Sequence, residues 1–190
     1  MKPIILDRDG VINQESAEFV KSPEEWLPLK GSLVAIARLS QAGYDVIVLT
    51  NQSGIARGLF SADMLSQIHV RMIDYIHQAG GKISSIAFCP HGPDDQCDCR
   101  KPKAGLYSEL IQQLGISFNG VYSVGDSLRD LQAAQEAGAL PVLVLTGNGK
   151  KTAKQISKDP SLGLSNIPIF ENLLSFSDWL LSQSDEHSSL

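Results

Sequence analysis

Five short apolar runs, Pro3–Asp7, Tyr44–Leu49, Ile83–Phe88, Gly120–Val124 and Pro141–Thr146, recur along the chain with amphipathic stretches between them. Runs of this length between stretches of helical period read as buried strands joined by helices. Strands joined by helices cannot pair as hairpins, so they lie parallel and need helices on both faces of the sheet. Leu65, Ile68, Met72 and Ile76 recur at helical spacing, with Ser61 placed to cap that helix. Leu106, Leu110 and Leu114 repeat the pattern, as do Leu128, Leu131 and Ala134, and Gly43, Gly80, Gly115 and Gly138 fall where such helices end. The expected fold class is α/β. In sheets of this kind ligands bind beyond the carboxyl ends of the strands, so the residues after each run are where chemistry is sought.

Those residues are Asp7-Arg8-Asp9-Gly10, Thr50-Asn51, and Gly125-Asp126 with Asp130, joined by Arg100-Lys101-Pro102 from a loop. Two carboxylates two residues apart at a strand end point the same way. Each element has a plain structural alternative. An Asp-rich strand end often forms a turn, Thr50 could simply end its strand, Asp126 and Asp130 could cap a helix, and Lys101 could be a solvated charge. Together, in this order, they supply what phosphoryl transfer needs: a nucleophile, a cation site and donors around the phosphate. Asp7 is the expected nucleophile, forming an aspartyl phosphate, and Asp9 the expected acid and base. Asp7, the backbone carbonyl of Asp9 and Asp126 are the expected ligands of a Mg²⁺ ion. Thr50 and Lys101 are expected to hold phosphate oxygens, with Asp130 orienting Lys101 or a metal-bound water.

Cys89, His91, Cys97 and Cys99 form a second group, and all three cysteines of the chain lie in it. An odd, tightly clustered set suits metal ligation better than a disulfide framework. Cys₃His with no open position suits a structural Zn²⁺ that clamps the loop delivering Arg100 and Lys101. A redox role or chance clustering is the alternative. His69, His77 and His187 lack comparable neighbours in the sequence and read as incidental.

At 190 residues the chain has room for one well-packed domain. A net charge of −5 argues against broad nucleic-acid binding. No apolar run approaches the roughly 20 residues that span a bilayer, so no membrane association is expected. The first strand begins at once with no signal peptide before it, which sets the expected location in the cytoplasm. Asn13–Leu29, Gln52–Phe60 and Pro90–Lys103 are the extended segments near the strand ends, too short for a large cap domain, so an open pocket is expected. Gly147–Ser165 reads as a polar loop with one short helix, and a last helix as running from about Phe170 to Leu181.

The four elements together resemble the haloacid dehalogenase superfamily of aspartate-nucleophile phosphatases, across roughly Pro3–Thr146. That resemblance implies Mg²⁺ dependence and a five-stranded core in a Rossmann-like fold. Phe88-Cys89-Pro90-His91 and Cys97-Asp98-Cys99-Arg100-Lys101-Pro102 look like two groups within it, heptose-1,7-bisphosphate 7-phosphatases and histidinol-phosphate phosphatases. Thr50-Asn51-Gln52-Ser53-Gly54-Ile55-Ala56-Arg57-Gly58 and the run from Gly125 to Ala134 are most similar to the heptose group. The resemblance then implies a phosphorylated-sugar substrate, with a place in making ADP-heptose for lipopolysaccharide. It implies that Asn51, Gln52 and Ser53 line the pocket, that Glu15, Ser16, Ala17 and Glu18 approach the sugar, and that Arg100 recognises the sugar or its second phosphate. Arg57 and Lys103 suit a doubly phosphorylated ligand as well. The short Pro90–Gln96 stretch is nearer to the histidinol group, which stands as the alternative. Residues 1–182 are read as one phosphatase domain with a zinc-binding loop at 89–103, residues 183–190 as a polar tail, and the protein as a monomer.

Overall fold

Alternate residues of a strand face opposite sides of its sheet, and the packing of this chain follows that period. Ile4 and Leu6 of the first strand (β1, Pro3–Leu6) and Val46 and Val48 of the second (β2, Asp45–Asn51) enter one apolar core. Ile5, Ile47 and Leu49 enter another. The computed structural model describes residues 2–187, with side chains to 183.

Three helices cover the first core: α1 (Ser32–Gln41), α2 (Ala62–Gln78) and α6 (Leu173–His187). Helices α3 (Gly105–Leu114) and α4 (Leu128–Glu136) cover the second. The remaining strands are β3 (Ser85–Cys89), β4 (Tyr122–Gly125), β5 (Leu140–Val144) and β6 (Ile169–Phe170). Helix α5 (Gly149–Lys158) packs Ile156 with Leu131 and Leu143 at the edge of the sheet. A fully buried Leu, Ile or Phe contributes about 1.5–3 kcal/mol, whereas an exposed ion pair such as Arg38–Asp178 contributes at most about 1 kcal/mol. The two-faced core therefore decides the fold.

All six strands are parallel, in the order β3-β2-β1-β4-β5-β6. The chain runs outward from β1 to β3 and then returns to place β4 on the other side of β1. Strand order reverses there, which opens a crevice at the carboxyl ends of β1 and β4. This is the expected Rossmann-like α/β arrangement.

Some expected details hold and others change. Ser61 caps α2 by accepting the Met64 N–H at 3.1 Å, and Leu65, Ile68, Met72 and Ile76 are buried. The sheet has a sixth strand beyond the five expected, because Ile169-Phe170 is too short to show alternation. It is visible only through its pairing with Leu143 and Val144. The last helix starts at Leu173, where Asn172 accepts the Ser175 N–H at 3.0 Å, and continues to His187 rather than ending at Leu181. Residues 188–190 of the expected tail, and the side chain of His187, lie outside the described residues. The polar segment after β5 holds a ten-residue helix whose period is masked by lysines, with only Gly149, Thr152 and Ile156 buried. Among the described residues no helix is long and apolar enough to cross a membrane.

Candidate active site

The Asp7 N–H extends the β1–β4 ladder by donating to the Val124 carbonyl at 2.9 Å, which sets Asp7 at the crevice. The chain then turns at Gly10, whose φ of 81° favours glycine. A Cβ there would lie 2.2 Å from Asp126 Oδ2, so glycine also lets the β1 and β4 loops meet. Thr146 Oγ1 donates to the Gly10 carbonyl at 2.6 Å and closes the same contact.

Asp126 follows β4 and is anchored from the start of α5. Its Oδ2 accepts the Asn148 N–H at 2.7 Å, and Thr152 Oγ1 donates to its carbonyl at 2.8 Å. Its Oδ1 is buried with no hydrogen-bond partner. One carboxylate oxygen each from Asp7, Asp126 and Asp130 lies within 4.8 Å of the others. Lys101 Nζ sits 2.8 Å from Asp7 Oδ1 and 2.7 Å from Asp130 Oδ1, and donates to the Leu49 carbonyl at 2.9 Å. Asp130 also serves α4, accepting the Ser127 N–H at 3.0 Å in a capping box, so its capping and site roles coincide.

The charges are unbalanced. Burial pushes the Asp7 carboxyl up to about 7 against the pull of Lys101. Burial, then Asp130 and Asp7, push Asp126 up to about 8. Burial acts the same way on Asp130, but Lys101 and Arg129 outweigh it and hold that carboxyl below its usual range. Three buried carboxylates beside the Lys101 ammonium and the Arg129 guanidinium leave negative charge in excess, and with an orphaned oxygen on Asp126 they form a hard oxygen site that a divalent cation would neutralise.

Asp9 is held differently. Arg8 Nε donates to Asp9 Oδ1 at 3.2 Å and Nη2 to Oδ2 at 2.9 Å, while Asn13 Nδ2 and Gln52 Nε2 add bonds of 2.8 and 2.9 Å. Burial works against ionisation, yet Arg8 and these donors hold the carboxyl below its usual range. A cavity of about 330 Å³ opens above Asp7 and Asp9.

The cysteines close a second group nearby. Cys99 Sγ lies 3.1 Å from Cys89 Sγ and 3.2 Å from His91 Nδ1, and Cys97 Sγ lies 3.8 Å from Cys89 Sγ. All four ligand atoms fall within 4.8 Å of one another, and no disulfide joins them. These soft donors could hold a metal ion.

Comparison with known proteins follows the same lines. A HAD-hydrolase-like family model matches residues 98–167. The chain is 57% identical over 155 residues to the D-glycero-beta-D-manno-heptose-1,7-bisphosphate 7-phosphatase of Bordetella bronchiseptica, covering 82% of this chain and 87% of that one. It is 48% identical over 184 residues to the same-named protein of Neisseria meningitidis serogroup A, covering 97% of each. The chain belongs to the heptose-1,7-bisphosphate 7-phosphatase family. A crystal structure of the family's B. bronchiseptica member, complexed with magnesium and phosphate, superposes with a TM-score of 0.88 at 50% identity, covering 96% of this chain and 99% of that one.

Of the residues expected to form the family's site, Asp7, Asp9, Glu15, Ser16, Ala17, Thr50, Asn51, Gln52, Ser53, Arg57, Arg100 and Lys101 all line the cavity. Glu18 does not: it is exposed, and its carbonyl accepts from Lys21 Nζ at 3.0 Å. Lys103 also lies outside the lining, its ammonium taken by Asp98 at 2.9 Å and the Cys97 carbonyl at 2.7 Å. The Asn51 amide is committed to the Lys101 backbone, donating to its carbonyl at 3.0 Å and accepting its N–H at 3.1 Å. That pairing ties the end of β2 to the cysteine loop. Lys101 Nζ donates to Asp7 Oδ1 and the Leu49 carbonyl and pairs in charge with Asp130, so in this structure the side chain bridges Asp7 and Asp130.

The sequence reading missed Arg129, Phe19 and His69. Arg129 lies inside the Gly125–Asp130 motif and could have been found there. Phe19 lines the cavity at a φ of 64°, uncommon for an aromatic residue, with Arg57 5.8 Å from its ring centre. His69 reads as incidental in sequence, yet its Nε2 lies 3.4 Å from Arg8 Nη1.

Proposed function

We propose that this protein is a Mg²⁺-dependent phosphatase that removes the 7-phosphate of D-glycero-β-D-manno-heptose 1,7-bisphosphate. The observation that carries this reading is the convergence of Asp7, Asp126 and Asp130 beside a cavity that also holds Arg57, Arg100 and Arg129, in a chain 48% identical along nearly its whole length to a protein of that name. Asp7, the backbone carbonyl of Asp9 and Asp126 would hold the Mg²⁺, which the orphaned Asp126 oxygen and the excess carboxylate charge both favour. Bound there, it would supply neutralisation of phosphate charge.

The chain's own groups account for the rest. An Asp7 oxygen attacks phosphorus as the bond to the sugar oxygen breaks, and Asp9 gives that oxygen its proton. Water then attacks the phosphoaspartate, Asp9 takes the water's proton, and the Asp7–phosphorus bond breaks to release phosphate. A phosphate dianion beside Asp9 adds negative charge, which raises its pKa toward the proton-carrying form the first step needs. Thr50 and Lys101 would hold phosphate oxygens. Glu15, Ser16, Ala17, Gln52 and Ser53 line the sugar side, and Arg57 and Arg100 suit the second phosphate.

A Zn²⁺ in Cys89, His91, Cys97 and Cys99 would complete the 89–103 loop. Zinc–sulfur bonds of about 2.3 Å imply tetrahedral sulfur separations of roughly 3.7 Å, which the 3.8 Å between Cys89 and Cys97 matches and the 3.1 Å between Cys89 and Cys99 falls short of. We read residues 1–182 as one phosphatase domain working as a monomer in the cytoplasm, since a single chain supplies every site residue. The product would feed ADP-heptose synthesis.

Phosphate release with Mg²⁺ tests the substrate, using both anomers of the heptose bisphosphate with histidinol phosphate alongside. The β-anomer is expected to be preferred. Preference for histidinol phosphate, which the short Pro90–Gln96 stretch favours, would move the reading to that alternative.

The junction of the two loops gives a further prediction. Gly10→Ala would force a left-handed backbone costing about 1–2 kcal/mol and drive its Cβ into the Asp126 carboxylate. Its apparent Mg²⁺ requirement is expected to rise about tenfold or more in a titration of activity. An unchanged Mg²⁺ curve would show that Asp126 is not where the ion binds.

A further inference from the structure

Arg8 is an unusual group to find in a core. Its side chain is 1% exposed, and its ion-pair partner is Asp9. Arg8 Nε and Nη2 serve Asp9, and Nη2 also donates to Gln52 Oε1 at 3.1 Å. Nη1 points the other way, to His69 Nε2 at 3.4 Å. His69 sits on the buried face of α2 among Leu65, Ile68, Met72 and Ile76, the one polar side chain of that stripe. Its ring meets Phe88 edge-on, with centroids 6.1 Å apart.

A position on an apolar stripe has no packing need for an imidazole. A buried guanidinium does need an acceptor, because an unpaired donor there is left fully desolvated. Burial, then the Arg8 charge, hold the imidazole down to about 4, so it is neutral and Nε2 can accept. A planar fork fixed at one end by His69 and at its side by Gln52 has no freedom to roll. Its remaining donors then hold the Asp9 carboxylate in one orientation.

We infer that His69 is a positioning residue for proton transfer at Asp9, acting through the Arg8 guanidinium. The inference rests on the reading of Asp9 as the proton-transfer group. It extends the site to α2, a helix that contributes nothing to the cavity lining.

The test compares His69→Phe, which keeps a ring against Phe88 but loses the acceptor, with His69→Gln, which keeps an acceptor. Each is assayed for kcat and KM with the β-heptose bisphosphate and Mg²⁺, next to Asp9→Asn and with melting recorded to count folded protein. His69→Phe is expected to lose about tenfold in kcat with KM within about twofold, and His69→Gln to recover most of that loss. Should His69→Phe not fold, His69→Leu takes its place. Wild-type kcat per folded molecule in the Phe variant, or equal losses in Phe and Gln, would overturn the inference. An inactive Asp9→Asn beside a fully active His69→Phe removes the inference alone. A largely active Asp9→Asn removes the reading of Asp9 and the inference with it.

Discussion

Asp7→Asn is expected to lower phosphate release by at least about a thousandfold while the protein stays folded. Losing a covalent nucleophile is among the largest single-residue effects on turnover, and an amide of the same shape cannot form the phosphoaspartate. The fold should tolerate the change for a reason visible in the charges. Asp7 is buried, and its carboxyl is pushed up to about 7 from 3.8. Its protonated form therefore favours the folded state at low pH, and that contribution fades as pH rises from about 4 toward 7. At neutral pH and above, a charged Asp7 is a burden on folding that a neutral asparagine removes. Lys101 keeps Asp130 at 2.7 Å and the Leu49 carbonyl at 2.9 Å, so its ammonium is not abandoned. Circular dichroism and melting close to wild type, with phosphate release at background, are the expected results. Near-normal release from folded Asp7→Asn would overturn the aspartyl-phosphate mechanism.

How much of this was legible beforehand depended on how local each signal was. Asp7, Asp9, Asp126 and the Cys89–Cys99 group could be read because strand ends and short spacings bring their chemistry together in sequence. The parallel sheet could be read because each apolar run was bounded by a helical stretch. β6 could not, since a two-residue strand has no period and is defined by partners some 26 residues earlier in the chain. His69 could not, because its partner Arg8 is 61 residues away and a lone histidine on an apolar stripe carries no mark of its neighbour. Glu18 and Lys103 lie outside the cavity lining for another reason. Residue type placed them near the site, but the direction of an exposed side chain is set by nearby partners, Asp98 in the case of Lys103. Asn51 was expected at the pocket and lies there, while its amide turns out to fasten the Lys101 backbone.

That fastening is weak compared with what a Zn²⁺ held by Cys89, His91, Cys97 and Cys99 would supply to the same loop. Lys101 lies two residues beyond Cys99, and residues 90–100 contain no helix or strand. The loop is tied to the domain by the Gln52 N–H to the Cys89 carbonyl at 2.7 Å, the Ala56 N–H to the Pro90 carbonyl at 3.2 Å, the Gly105 N–H of α3 to the Asp98 carbonyl at 3.1 Å, and the Asn51 pair. Net worth per hydrogen bond is about 1 kcal/mol, so these few bonds cannot hold four thiol and imidazole ligands together without the ion. Structural zinc contributes far more, with apparent binding of about 10–16 kcal/mol in small zinc domains. If only about 3 kcal/mol of that reaches global stability, melting should fall by roughly 6–12 °C for a chain of this size. Chelation followed by resupply of Mg²⁺ alone, or Cys97→Ser, is expected to lower melting by that amount and activity at least about tenfold. Faster amide exchange is expected within 90–103. The activity loss follows from Lys101, whose ammonium reaches between Asp7 and Asp130 only while its backbone is held. Restoring Mg²⁺ separates the two ions, because full recovery with Mg²⁺ alone would mean that the cysteine group does not clamp the loop. Unchanged melting in the stripped protein would mean the same, and Lys101 would then owe its place to Asn51 and the loop's other hydrogen bonds.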